Sequence, residues 1–116
     1  MGAIQTQTTL LNDIKRAVSH QGQAVGYQKL TVNGTAATLT IPDAGATSAI
    51  IIIESTTAAP TVAVRYREDG TAPTSAIGMP VTTGTILEIL HPDNLTRFSI
   101  IEATGATTYA HITYFR

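Results

Sequence analysis

Residues 60–71 read Pro60-Thr61-Val62-Ala63-Val64-Arg65-Tyr66-Arg67-Glu68-Asp69-Gly70-Thr71, and they set the reading of the whole chain. Val62, Val64 and Tyr66 alternate with Ala63, Arg65 and Arg67, the two-residue period of a half-buried strand. Asp69-Gly70 then supplies a turn, because glycine tolerates the positive φ that a reversal requires. A connection with Pro73, Gly78, Met79 and Pro80 follows, and Ile77–Val81 within it reads as a short edge strand, where proline is tolerated. The chain resumes as a strand over 85–90, with Leu87 and Ile89 on one face and Ile86, Glu88 and Leu90 on the other.

The same grammar extends in both directions. Residues 107–115 alternate Tyr109, His111, Thr113 and Phe115 against Ala110, Ile112 and Tyr114. Residues 95–102 read as a strand with Phe98 and Ile100 on its apolar side, entered through a turn at His91-Pro92-Asp93-Asn94. Four consecutive isoleucines, Ile50 to Ile53, predict a strand buried on both faces, inside the domain or against another chain. Residues 23–32 and 36–41 flank Asn33-Gly34, the strongest short signal for a two-residue hairpin. Upstream, Leu10, Leu11, Ile14, Ala17 and Val18 share one helical face, with Thr9 as N-cap. The expectation is an all-β protein, an antiparallel β-sandwich of seven or eight strands over residues 23–116, preceded by an arm with a short helix in residues 1–22.

Composition narrows the function classes. The 116-residue chain has room for one core, has no cysteine, and carries a net charge of −1 without a Lys/Arg cluster. Nucleic-acid binding is therefore not expected, and neither a membrane span nor a signal peptide is read in the chain. Only 13% of residues are charged, and a threonine-rich surface offers little repulsion between copies.

Little in the spacing suggests catalysis. His20, His91 and His111 fall on a helix end, a turn and a strand, not at metal-ligand spacing. No metal and no cofactor is expected. Among the carboxylates, Glu54, Glu88 and Glu102 sit in or at strands, within reach of Arg65 or Arg97 across a sheet. Tyr27, Tyr66, Tyr109 and Tyr114 read as core or interface anchors, and Arg65, Tyr66 and Arg67 as interface candidates beside Leu10, Leu11 and Ile14. For the two arginines a solvated strand face paired with Glu88 or Glu102 is the equal alternative.

The stretch from Arg65 to Thr74, Gly78-Met79-Pro80-Val81, Gly84 to Ile89, Leu95 to Ile101 and the ending His111 to Arg116 resembles small structural proteins encoded in tailed-bacteriophage genomes. The resemblance implies a jelly-roll-like virion protein, a capsid cement or decoration protein that assembles in the host cytoplasm. Such a protein is non-enzymatic, clamps the major capsid protein on the outside of the shell, and forms a small homo-oligomer, a dimer or trimer. The alternative is a module of a tail, head fibre or baseplate that binds a receptor or glycan, which needs an exposed aromatic platform. A hydrolase, needing carboxylates or histidines converging in a cleft, ranks last.

Overall fold

The computed structural model describes residues 22–116. The expected arm and helix of residues 1–21 lie outside the described residues. Eight strands and one short helix follow in the order β1 (Ala24–Val32), β2 (Ala37–Thr38), β3 (Ser48–Ser55), β4 (Val64–Arg67), β5 (Met79–Val81), β6 (Ile86–Ile89), α1 (Pro92–Arg97), β7 (Ser99–Glu102) and β8 (Thr108–Phe115). They form two four-stranded antiparallel sheets, β1-β8-β3-β6 (sheet A) and β2-β7-β4-β5 (sheet B). The chain is an all-β sandwich, as its strand periods predict.

Alternation decides what fills the space between the sheets. From sheet A come Val32, Ile51, Ile53, Ile89, Ala110, Ile112 and Tyr114; from sheet B come Val64, Val81 and Ile100. Leu95 and Phe98, from α1 and the residue after it, join the same cluster. Tyr66 stacks on Phe98 with ring centroids 5.5 Å apart. This continuous apolar layer is what drives the two sheets together, since each fully buried isoleucine contributes on the order of 2 kcal/mol in transfer free energy.

Four local readings change. Asn33-Gly34 does not close a hairpin: β1 pairs with β8 and β2 with β7, so the chain crosses between sheets there. The Asn33 side chain instead accepts the Thr35 N–H at 2.9 Å, an Asx turn that needs no positive φ. Residues 92–97 are helical where a turn and the start of a strand were expected. His91 Nδ1 accepts the Asp93 N–H at 3.1 Å, Pro92 occupies the first turn, and Asp93 and Arg97 complement the two ends. The strand expected from Val62 begins at Val64, and Ala63 is buried, donating to the Val81 carbonyl. Finally, within the chain β3 is buried on one face only: Ile51 and Ile53 are in the core while Ile52 is exposed, which overturns burial of both faces inside the domain.

Candidate functional site

The outer face of sheet A presents a mixed apolar and polar surface. The strand registers place its outward residues in rows: Tyr27, Thr113, Ile50 and Glu88 in one; Lys29, His111, Ile52 and Ile86 in the next; Thr31, Tyr109 and Glu54 in a third. These residues alternate with the core positions, so the same two-residue period that builds the interior builds this surface. Tyr27 is 63% exposed, Ile52 42%, Ile86 62% and Leu90 57%. Ile52 and Ile86 are directly opposite across β3 and β6, and exposed apolar side chains that adjoin one another mark an interaction surface more often than scattered ones do.

A hydrogen-bonded chain crosses this face from β1 through β8 to β3. The Tyr27 hydroxyl lies 2.6 Å from His111 Nδ1, and His111 Nε2 lies 2.8 Å from Glu54 Oε1. An ionised carboxylate only accepts, so Nε2 carries a hydrogen; in the neutral imidazole Nδ1 then accepts from the Tyr27 hydroxyl. The bond from His111 holds the Glu54 carboxyl below its ordinary pKa, outweighing the opposing effect of desolvation. Lys29 Nζ lies 4.2 Å over the Tyr109 ring, a second cross-strand tie between β1 and β8. Together these contacts fix the side chains of an otherwise open surface.

Beneath this face, the Tyr114 hydroxyl donates to Gln28 Oε1 at 2.6 Å, and the same oxygen accepts the Thr40 N–H at 3.1 Å. Burial pushes the Tyr114 hydroxyl up to about 12, partly offset by a hydrogen bond with the Thr40 backbone. This partly buried polar link ties the 40–42 segment to β1.

A second feature lies on sheet B, where Arg67, Glu68, Asp69, Ile77, Gly78 and Met79 line an open groove of about 400 Å³. Desolvation raises the Glu68 carboxyl pKa. Gly78 belongs to its floor: a Cβ there would come within 3.1 Å of the Arg65 and Pro73 Cβ atoms.

The residues singled out from the sequence are dispersed. Leu10, Leu11 and Ile14 lie outside the described residues. Arg65 donates to the carbonyls of Ser75 at 3.2 Å and Gly78 at 3.0 Å, clamping the connection to β5. Arg67 grips Asp69, with Nε 3.1 Å from Oδ1. Neither arginine pairs with Glu88 or Glu102, because their guanidinium groups are taken by the loop that follows their own strand. Glu54 pairs with His111 and not with an arginine. Tyr66 is half-buried on Phe98. The three-residue chain through His111 was not foreseen: β8 alternation places His111 on the outer face, yet its partners lie 84 and 57 residues away.

Among the described residues no cluster of three or more His, Cys, Asp or Glu side chains gathers to hold a metal ion, and no helix is long and apolar enough to cross a membrane. Comparison with protein-family models, curated proteins and solved structures finds no match to this chain.

Proposed function

We propose that this chain is a non-enzymatic structural protein of a bacteriophage virion, a cement or decoration protein that binds the capsid exterior and stabilises the shell. The observation that carries the reading is the outer face of sheet A, where Ile52 and Ile86 stand exposed side by side on β3 and β6, with Leu90 exposed just beyond β6 and Tyr27 on the opposite edge strand. Such a surface gains free energy by being covered. A protein that covers subunits only in their assembled arrangement stabilises that arrangement by mass action, through its higher affinity for it.

The strand order supports the jelly-roll part of the reading. Successive strands switch sheets, from β1 in sheet A to β2 in sheet B and back to β3, with β4 and β5 the one consecutive pair that shares a sheet. Two interleaved Greek keys give this alternation. The partner in this reading is the major capsid protein, and the chain acts as a small homo-oligomer. Co-sedimentation with shells of that protein tests it: binding to expanded shells and not to unassembled subunits is expected, and equal binding to both, or to neither, overturns it.

One observation favours the alternative, a receptor- or glycan-binding module of a tail, head fibre or baseplate. Tyr27 presents an exposed ring held in place by His111, with interplanar angle 23° and centroids 6.2 Å apart. A glycan array separates the readings: binding that is lost in Tyr27→Ala and leaves shell attachment absent favours the module.

A further inference from the structure

We propose that the outer side of β6 is a strand-addition site, which takes an extended segment of a partner chain whose residues alternate apolar-x-basic-x-apolar. The proposal rests on the reading of this chain as an assembly protein and names where, and to what chemistry, it attaches.

The four sheet edges are not alike. β2 is two residues long. β5 carries Pro80 at its middle position, directly opposite Arg65, so that position has no N–H to offer. β1 has an irregularity between Ala24 and Gly26, and the 40–42 segment lies against it: Thr40 bonds to Gln28, and a Cβ at Gly26 would meet the Pro42 ring at 2.8 Å. Short edges, prolines, bulges and covering loops are the devices by which proteins prevent strand pairing. β6 is four residues long and is entered through a bulge, where Gly84 at φ 83 and Thr85 both bond to Ile53, but among the described residues it carries no proline, and no strand pairs with its outer side.

Its hydrogen-bonding groups can be assigned. Ile53 directs both backbone groups to β6, donating to the Thr85 carbonyl at 3.3 Å and accepting the Gly84 N–H at 2.7 Å. In an antiparallel ladder the two groups of one residue point the same way and alternate along the strand. Ile51 therefore also faces β6 and its opposite residue, Leu87, faces β3, which turns the N–H and C=O groups of Ile86 and Glu88 outward.

The side chains define the occupant. Ile86 and Glu88 project in turn onto the outer face and Leu90, one residue past the strand, is exposed after them, apolar, acidic, apolar; among the described residues Glu88 has no hydrogen-bond or ion-pair partner. Residues directly opposite on paired strands carry their side chains on the same face, about 5 Å apart. A strand laid along β6 thus sets a cation against Glu88 and apolar residues against Ile86 and Leu90, which reads apolar-x-basic-x-apolar in either chain direction. Strand addition of this kind takes affinity from main-chain bonds and specificity from alternate side chains.

The test uses the full chain and two fluorescent heptapeptides, Thr-Ile-Thr-Lys-Thr-Ile-Thr and the same peptide with Glu for Lys. The Lys peptide is expected to bind about tenfold more tightly, to slow amide exchange at Ile86 and Glu88, and to lose to the Glu peptide on Glu88→Lys. Glu88→Pro, which removes an N–H that serves no bond within the chain, abolishes binding of both while the melting transition persists. Should that variant not fold, the reversal of preference in Glu88→Lys still decides. Equal binding of the two peptides, or Ile86 and Glu88 amides already protected in the free chain at high concentration because a second copy occupies the edge, overturns the proposal. If no peptide binds while the chain still sediments with expanded shells, the edge assignment fails and the assembly reading stands; loss of shell binding as well removes both.

Discussion

Replacing Ile51 and Ile52 by alanine, one at a time, asks two neighbouring residues of identical chemistry to report opposite faces of one strand. Ile51 is fully buried between the sheets, paired on its flanks with Ile112 of β8 and Leu87 of β6. Truncating it removes buried methyl groups and leaves a cavity that the two flanking strands hold open, a loss of about 2–5 kcal/mol. Ile52 is 42% exposed, so its truncation forfeits only part of a transfer term and leaves no enclosed void, about 1 kcal/mol. In urea, with a slope of about 1.5 kcal/mol per molar, the midpoint falls by roughly 2 M for Ile51→Ala and by under about 1 M for Ile52→Ala, with unchanged slopes. The binding order is the reverse: Ile52→Ala weakens shell attachment about fivefold, while the folded fraction of Ile51→Ala attaches normally. Equal midpoint shifts, or a larger one for Ile52, refute the placement of β3.

Three further outcomes follow from named contacts. Tyr114 has its hydroxyl pKa raised to about 12 by burial, so the neutral form is favoured in the fold; that stability is intact below the ordinary tyrosine value near 10 and is lost as pH rises from there toward 12, about 3 kcal/mol in all. Tyr114→Phe flattens this alkaline loss in pH-dependent urea melts. Glu54 is held below its ordinary value chiefly by the bond from His111, so its stabilising effect is present above the unfolded carboxyl value and fades as pH falls through the folded one. Carboxyl-detected NMR is expected to show the Glu54 midpoint moving upward in His111→Ala. Gly78 has φ +140 and crowded surroundings, so Gly78→Ala strains the backbone and presses on Arg65, costing about 1–3 kcal/mol in thermal or urea melts.

The outline of the sandwich was legible because most strands keep different company on their two sides. β8 sets Ala110, Ile112 and Tyr114 inward against Tyr109, His111 and Thr113, and β6 sets Leu87 and Ile89 against Ile86 and Glu88; such contrast is itself the period. The four isoleucines of β3 have no contrast, so nothing local tells a strand with one apolar solvent face from one buried on both. α1 escaped notice because six residues show no helical period and its cap is a histidine. Asn33-Gly34 departs from its pattern for a different reason: the Asn33 side chain makes a bond that replaces the expected turn geometry. The candidate surface was half visible. Alternation selects which residues face outward, but only the pairing of β8 with both β1 and β3 brings Tyr27, His111 and Glu54 together. The proline of β5 was readable as an edge signal, whereas the openness of β6 depends on the strand order of the whole sheet.

The central claim is that the outer face of sheet A attaches this chain to an assembled shell. Its most direct measurement is the affinity of the full chain for expanded shells, compared with a variant carrying both Ile52→Asp and Ile86→Asp. The two side chains are exposed on the sheet and adjacent across β3 and β6, so the charges leave the core untouched while spoiling the covered surface. A fall of roughly a hundredfold or more, with cooperative unfolding retained, is the predicted result; attachment at wild-type strength contradicts the account.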